Sequence, residues 1–210
     1  MSFRVERVTP QDALFRDYLG VRYQIYCLER GFEDPLLHPG GIETDKYDAH
    51  AVHLAAVEGE TGQVVGCARI IRHDPDQKNF KFPLEEHFFL DAPLKDIDRD
   101  CLGEVSRLAV TKSHCQEFQI VSLLLDHLFL EIGRLRLTHL YAAMAKGLPV
   151  LMKRKKIFWE QIGKEIFFHG SRAPYLLDLQ VKSCESIHYP FYAQTFGSDE
   201  QQEICLQAFA

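Results

Sequence analysis

A strand, a long helix and a second strand are predicted by residues 103–144, which read GEVSRLAVTKSHCQEFQIVSLLLDHLFLEIGRLRLTHLYAAM. Residues 103–110 have the apolar pattern of a strand, and residues 120–134 repeat apolar side chains at the spacing of an amphipathic helix. Residues 139–144 predict the second strand. Because strand–helix–strand units cross over in a right-handed sense, we expect the two strands to be parallel partners.

The rest of the chain predicts further elements around this unit. A turn sequence, GETG, joins the predicted strands 51–58 and 64–71 into a hairpin. The other predicted elements are a strand at 3–8, helices at 10–19 and 21–29 with Thr9 as N-cap, a helix at 149–159, strands at 165–169 and 175–181, and a helix at 199–208. This order predicts a single α/β (α+β) domain over residues 1–210, with helices on both faces of a mixed sheet.

Composition and charge exclude several classes of protein. Hydrophobic residues make up 46% of the 210 residues, which is too many for a disordered chain. The 24 lysines and arginines against 30 aspartates and glutamates give a net charge of −6, which argues against a nucleic-acid partner. There is no uncharged apolar run of the roughly 18 residues that a membrane span needs. Without a signal-peptide pattern or a CxxC pair, we expect a cytoplasmic protein with reduced thiols.

Two arginines lie inside apolar strand patterns, Arg69 in VVGCARII and Arg107 in EVSRLAV. Burying an unpaired guanidinium costs several kcal/mol, so carboxylates are expected nearby. The candidates are Asp45, Asp48 and Glu104. A structural salt-bridge network between strands and a loop explains the pattern as well as a functional site does, and both interpretations stay open.

His50 and His53 lie three residues apart near Asp48 and are the candidate ligands for a metal ion. Histidines at strand edges are more often structural, so we predict no metal here.

Four charged motifs occur in order along the chain and resemble a known family. They are the arginine and aromatic residues of RYQIYCLERGF at 22–32, E-x-D-x-x-D at 43–48, G-x-x-R at 66–69 and E-x-S-R at 104–107. This set resembles the autoinducer synthases that make acyl-homoserine lactones. The stretches RYQIYCLERGFE, FPLEEHF, GEVSRLAV and FHGSRAPY are more similar to N-acyl amino acid synthases, including acyltransferases associated with PEP-CTERM/exosortase systems.

The resemblance covers most of the chain and implies a fold and a set of site residues. The implied fold is that of the GCN5-related N-acetyltransferases (GNAT), in which the central strand separates from its parallel neighbour at one end. The implied catalytic residues are Glu104, Ser106 and Arg107. The implied substrate-binding residues are Arg22, Tyr26, Phe32, Asp45, Asp48 and Arg69. The implied acyl-donor-binding residues are Leu108, Ala109 and Val110.

Two of these residues have open roles. Glu104 is the candidate general base, acting directly or through water, although a role as ion-pair partner of an arginine stays open. Ser106 lacks the glycines of a nucleophile elbow, so a hydrogen-bonding role is preferred.

Two aromatic positions give information about which acceptor substrate the protein uses. Phe32 stands where the lactone synthases usually carry tryptophan, and Tyr26 stands where they usually carry phenylalanine. The loss of the tryptophan weakens the case for S-adenosylmethionine as the acceptor.

The acyl donor is predicted from the segment that follows Val110. This segment reads TKSHCQEFQI and lacks the glycines with which acetyltransferases bind the pyrophosphate of coenzyme A. The expected donor is therefore an acyl carrier protein bearing a phosphopantetheine thioester, with no permanently bound cofactor. Its candidate docking residues are Lys153, Arg154, Lys155 and Lys156, although a solvated helix face explains this basic run equally simply.

The expected function is transfer of a long-chain acyl group from acyl carrier protein to the amine of an amino acid. Apolar residues of the central helix and the next helix are expected to form core, and some of them to line an acyl tunnel: Leu123, Leu124, Leu128, Phe129, Val150 and Leu151. An acyl-homoserine lactone synthase that uses S-adenosylmethionine is the alternative enzyme. A non-catalytic acyl-binding module of the same fold is the alternative from another class.

Overall fold

The computed structural model describes residues 2–91, 97–154 and 157–180. Its strands are β1 (Phe3–Val8), β2 (Ala51–Glu58), β3 (Val64–Arg72), β4 (Leu102–Val110), β5 (His139–Met144), β6 (Glu160–Gln161), β7 (Ile166–Phe167) and β8 (Ser171–Asp178). Its α-helices are α1 (Leu14–Tyr23), α2 (Pro83–His87), α3 (Phe118–Arg134) and α4 (Gly147–Arg154). The strands lie in the order β1-β2-β3-β4-β5-β8-β6, and β7 pairs with β8.

The strands β4 and β5 are parallel, which confirms the prediction from residues 103–144, and the other described strand pairs are antiparallel. They pair at Leu102 with His139, Gly103 with Leu140 and Glu104 with Tyr141, and the pairing then stops although both strands continue. At the paired end a Cβ on Gly103 would lie 2.6 Å from the Leu137 side chain, so the glycine permits the close packing there. Beyond Glu104 a gap opens between the two strands.

Helices cover both faces of the sheet, as predicted. On one face Tyr18 and Val21 of α1, together with Ile25 of the helical turn that follows it, are buried against β2 and β3. On the other face α3 buries an apolar stripe at helical spacing, formed by Ile120, Val121, Leu124, Leu125, Leu128 and Ile132. The sheet between these helices is therefore the core of the domain.

The two helices predicted at 10–19 and 21–29 are one continuous helical segment. α1 runs through Gly20 into a π-helical stretch at Gln24–Glu29. Thr9 is not the N-cap as predicted, because its backbone N and its Oγ1 both donate to the Asp12 carboxylate at 2.7 Å, while Ala13 precedes the helix. The sequence-based boundary was wrong because this local turn uses the threonine.

Other boundaries differ as well. α2 was not predicted from the sequence, and the helix predicted at 149–159 begins at Gly147 and ends at Arg154. The predicted strands 165–169 and 175–181 correspond to β7 and β8, and β6 was not predicted. The helix predicted at 199–208 lies outside the described residues. Within the described part of the chain, the structure contains no helix long and apolar enough to cross a membrane.

Candidate active site

A cavity of about 430 Å³ lies at the gap between β4 and β5. Residues of both faces of the sheet line it. Arg69 and Ser106 belong to the α1 face, where the arginine Nε donates to the serine Oγ at 3.0 Å. Val105 and Leu108 line it from the other face, where they pack against the core under α3. The cavity therefore passes through the sheet at the point where the two strands separate.

A β-bulge in β4 brings two consecutive polar side chains to the same face. The register between β3 and β4 shifts between Cys67 and Arg69, and Arg107 adopts a left-handed backbone with a φ of 54°. In a regular strand, consecutive side chains such as those of Ser106 and Arg107 point to opposite faces of the sheet. Here both contact charged residues on the α1 face. A left-handed non-glycine residue is strained, and the ion pairs of Arg107 hold it in place.

Arg69 is held by carboxylates of the loop that precedes β2. Its two terminal nitrogens donate to the two carboxylate oxygens of Asp45 at 2.7 and 2.8 Å, and one of them also donates to Asp48 at 2.6 Å. This bidentate geometry is the strongest that arginine forms with a carboxylate. The loop is thereby fastened over β3.

A second carboxylate, Glu43, joins two further arginines. Its Oε2 accepts from Arg22 Nε at 2.6 Å, and its Oε1 accepts from Arg107 at 2.8 Å. Burial alone would raise the pKa of Glu43, but Arg107 and Arg22 outweigh this effect and lower the pKa to about 2. Arg22 also donates to Asp48 at 2.7 Å, and the neighbouring arginines hold the pKa of that carboxyl well below its usual range against the effect of burial.

We call the group Arg22, Glu43, Asp45, Asp48, Arg69 and Arg107 the ion network. Glu43 was not among the predicted site residues, although it begins the E-x-D-x-x-D motif. Glu33, which contacts Arg107 at 3.2 Å and directly follows Phe32, was also missed. Arg22 and Asp48 do not belong to the cavity lining and brace the network from behind, whereas Asp45, Arg69 and Arg107 line the cavity.

Glu104 stands apart from the ion network. It is 3% exposed, and its Oε2 accepts a hydrogen bond of 3.0 Å from the backbone N of Leu84 in α2. Among the described residues it forms no ion pair, so the arginines take Asp45 and Asp48 as partners rather than Glu104. Burial raises the pKa of Glu104 to about 8, so this carboxyl can exchange a proton near neutral pH.

Aromatic side chains form one wall of the polar half of the cavity. The guanidinium carbon of Arg107 lies 4.9 Å from the ring centroid of Tyr26, and Phe32 makes an edge contact with His169 at 5.3 Å between ring centroids. Arg172 and His169 were not predicted as site residues, although both belong to the FHGSRAPY stretch. The connection between β7 and β8, where Phe168 stacks on His87 of α2 at 4.4 Å between ring centroids, brings them to the cavity.

The other half of the cavity is apolar. Its lining comes from α3, β5, α4 and the segment that follows α4, with Leu125, Ala142, Met144, Leu148, Met152 and Trp159. Of the residues expected to form core or a tunnel, Leu124 and Leu128 are buried in the core and do not line the cavity, whereas Val150 is 59% exposed. The helix face of α3 that reaches the cavity is therefore the one that carries Leu125.

The three residues expected to bind the acyl donor separate along β4. The side chain of Leu108 lines the cavity. Ala109 packs in the core under α1, and Val110 packs in the core under α3. In the basic run, Lys153 is exposed on α4 and Arg154 is its last residue, while Lys155 and Lys156 lie outside the described residues.

The segment between β4 and α3 is occupied by local and long-range hydrogen bonds. The backbone N of Lys112 donates to the carboxylate of Glu29 at 3.0 Å, and that of Thr111 donates to the Val65 carbonyl at 2.9 Å. Glu117 is the residue that precedes α3. A carboxylate in this position disfavours an anionic ligand at the helix N-terminus.

His50 and His53, the two histidines near Asp48, have protein partners in the structure. The Nε2 of His53 contacts the Asp48 carbonyl at 3.0 Å, and its Nδ1 contacts the Tyr18 hydroxyl at 3.2 Å. His50 pairs with Asp74 at 3.0 Å. In the described chain, no three histidine, cysteine or carboxylate side chains come together as metal ligands.

Solved structures with the same architecture include several acyltransferases. The structure of a CoA-dependent acyl-homoserine lactone synthase, BjaI, with SAM and isopentyl-CoA is similar with a TM-score of 0.66, 18% identity and 90% coverage of both chains. The acyl-homoserine lactone synthase LasI is similar with a TM-score of 0.62, 19% identity, and coverage of 87% of this chain and 91% of that one. An acyl-CoA N-acyltransferase from Pseudomonas aeruginosa gives a TM-score of 0.51, 13% identity, and coverage of 84% and 97%.

The family is shown by the sequence itself. Among curated proteins, none matches this chain. The profile of the acetyltransferase (GNAT) domain matches residues 21–126, which is half of the chain and runs from the start of the ion network to the middle of α3. With the mixed sheet, its strand gap and the helices on both faces, this match shows that the chain belongs to the GNAT acyltransferase family.

Proposed function

We propose that this protein is an N-acyltransferase that moves a long-chain acyl group from an acyl carrier protein to the α-amine of an amino acid. The observation that carries the proposal is the cavity through the sheet. One half is charged and contains Glu104, while the other half is apolar. A thioester held in the gap between β4 and β5 would have its acyl chain on the apolar side and its carbonyl near the charged side.

The apolar half supports an acyl donor with a long chain. Leu148, Met152 and Trp159 line it together with Met144 at the end of β5. Methionine side chains adapt to irregular apolar ligands, and the cavity volume lies in the range of pockets that hold small molecules. A short acyl group such as acetyl would leave most of this lining without contact.

The charged half supports acyl transfer to an amine. In the proposed reaction Glu104 takes a proton from the acceptor amine, and the nitrogen attacks the thioester carbonyl. The carbon–nitrogen bond forms, the carbon–sulfur bond breaks, and the thiol leaves with a proton. We assign oxyanion stabilisation to backbone N–H groups of β4 beyond Glu104, because β5 no longer pairs with the strand there.

The choice of carrier protein as donor rests on the segment between β4 and α3. Glycine residues are absent from TKSHCQEFQI, the Lys112 amide is occupied by Glu29, and Glu117 precedes the helix. These features disfavour the pyrophosphate of coenzyme A, which phosphopantetheine on a carrier protein lacks. Two of the similar synthases, BjaI and MesI, are described as CoA-dependent, so both donors belong in the experiment.

An acyl-homoserine lactone synthase that uses S-adenosylmethionine is the second candidate. It is favoured by the ion network, in which Arg22, Asp45, Asp48, Arg69 and Arg107 come from the motifs that resemble those synthases and meet in one place. Phe32, which stands where those enzymes usually carry tryptophan, lines the cavity and argues for a different acceptor.

The test is product identification by mass spectrometry. Purified protein is incubated with a long-chain acyl carrier protein or acyl-CoA, and with either an amino-acid mixture or S-adenosylmethionine. N-acyl amino acids support the proposal, and acyl lactones support the second candidate. If no donor and acceptor pair yields a product that a Glu104→Gln control fails to make, the enzymatic assignment is wrong and a non-catalytic acyl-binding module remains.

A further inference from the structure

The charged half of the cavity contains both paired and unpaired cations. Arg69 pairs with Asp45, Arg107 pairs with Glu43, and Lys46 pairs with Glu86 at 2.6 Å. Arg172 lines the same half, yet no carboxylate of the described residues lies within ion-pair distance of it. Its cation therefore lacks the compensation that the other arginines of this cavity have.

The side chain of Arg172 is held so that the end of its guanidinium is available to a ligand. Its Nε donates to the His169 carbonyl at 3.0 Å, and its guanidinium carbon lies 5.9 Å from the ring centroid of Phe32. Among the described residues, none accepts a hydrogen bond from its two terminal nitrogens. These nitrogens form the fork that binds a carboxylate with two parallel hydrogen bonds.

The backbone that carries Arg172 is well defined by its neighbours. The residue lies in β8 opposite Ile166 of β7, and the connection between them turns at His169 and Gly170, which have φ values of 52° and 95°. A paired strand with a tight turn positions a side chain better than a loose loop does. The same turn places the His169 carbonyl where it fixes the guanidinium.

Burial has opposite outcomes at the two arginines of this wall. Burial lowers the pKa of Arg172, and Arg30 adds to the effect. At Arg107 burial acts in the same direction, but Glu43 more than compensates for it. An anion bound beside Arg172 would stabilise its charge as Glu43 stabilises that of Arg107.

We propose that Arg172 binds the α-carboxylate of the acceptor, so that the enzyme selects α-amino carboxylates over amines and amino-acid amides. The inference rests on the proposed function and names the residue that recognises the acceptor. An amino acid has an amine for Glu104 and a carboxylate for Arg172, and both side chains line the same cavity.

The kinetic test compares an amino acid with its amide in wild type, Arg172→Met, Arg172→Lys and the control Arg72→Met. Arg72 is an exposed arginine at the end of β3 and does not line the cavity. Loss of a charge-assisted pair at Arg172 raises the KM for the amino acid about 10- to 100-fold and leaves the KM for the acyl donor unchanged. The preference for the acid over the amide disappears in Arg172→Met and returns in part in Arg172→Lys.

A binding experiment separates this inference from the proposed reaction. Calorimetry measures the affinity of each variant for an N-dodecanoyl amino acid and for the corresponding N-dodecanoyl amide, which needs no turnover. Tighter binding of the acid by wild type but not by Arg172→Met supports the inference even if catalysis is not observed. An unchanged preference in folded Arg172→Met protein overturns it, and so does a rise in KM for the acyl donor alone.

Discussion

Two groups of charged residues lie side by side at this cavity and differ in how their charges are satisfied. In the ion network, Arg22 and Glu43 are 0% and 1% exposed at the side chain and pair at 2.6 Å. Glu104 is also buried and Arg172 is partly buried, but neither has an ion-pair partner among the described residues. The paired charges hold the loop before β2 to the sheet, whereas the unpaired groups are the ones available to a ligand.

Breaking the ion network has the largest expected effect. Arg22→Met leaves Glu43 and Asp48 short of a positive charge in a buried position, so the free energy of unfolding should fall by about 3–5 kcal/mol. Urea unfolding measures the loss. Arg72→Met, on the surface, should change the free energy of unfolding by no more than about 0.5 kcal/mol. Equal stability of wild type and Arg22→Met would show that the network does not hold the fold.

Glu104→Gln tests the second group, whose members have no ion-pair partner among the described residues. The variant keeps an oxygen that can accept from the Leu84 backbone N. We expect turnover to fall by about 100-fold or more, the scale for loss of a general base, while the protein stays folded. Melting temperature and turnover are measured on one sample. A folded variant with near wild-type turnover would remove Glu104 as the base.

The same variant should also change how the free energy of unfolding depends on pH. Burial raises the pKa of Glu104 from 4.5 to about 8, so the folded state binds this proton more tightly than the unfolded state does. The stability that the bound proton contributes to wild type is fully present below pH 4.5 and is lost as the pH rises through about 8. A glutamine has no charge to bury. Glu104→Gln should therefore equal or exceed wild type in unfolding free energy at pH 9, and a variant less stable at that pH would indicate a structural ion pair.

The pH dependence of the reaction sharpens the comparison further. With a pKa of about 8, the ionised fraction of Glu104 rises about tenfold per pH unit below that value, so Glu104 should contribute the same factor to the rise in kcat/KM, and this contribution should level off above pH 8. The acceptor amine also loses its proton over this range. Glu104→Gln serves as the control, because its residual rate retains only the dependence that the amine contributes. Identical profile shapes would contradict the assignment.

The smallest expected effect lies outside both groups, at the exposed Lys153 on α4. Lys153→Glu should raise the KM for acyl carrier protein a few-fold at low salt and less at high salt, because exposed charges are screened. The KM for acyl-CoA should not change. The matched control is Lys78→Glu. Lys78 is also exposed, but it lies in the loop after β3, far in sequence from α4. Equal effects of the two variants would remove the docking role.

Much of the fold and part of the site could be predicted from local pattern. The parallel pair β4 and β5 and the helix between them follow from periodicity, which depends on neighbouring residues alone. The burial of Arg69 led to Asp45 and Asp48, because a buried guanidinium requires carboxylates. Glu43 was missed because a loop sequence has no periodicity that would show how many of its acids pair with the buried arginines, and here all three do.

By itself, the sequence determined the order of the main strands and helices, the helices on both faces of the sheet and the need for carboxylates beside its strand arginines. Periodicity and desolvation act on each segment wherever it folds. Only the tertiary structure decided that a bulge turns Ser106 and Arg107 to one face, that α2 caps Glu104, and that Arg172 reaches the cavity without a partner. Each of these depends on contacts between residues far apart in the chain, which local pattern does not encode.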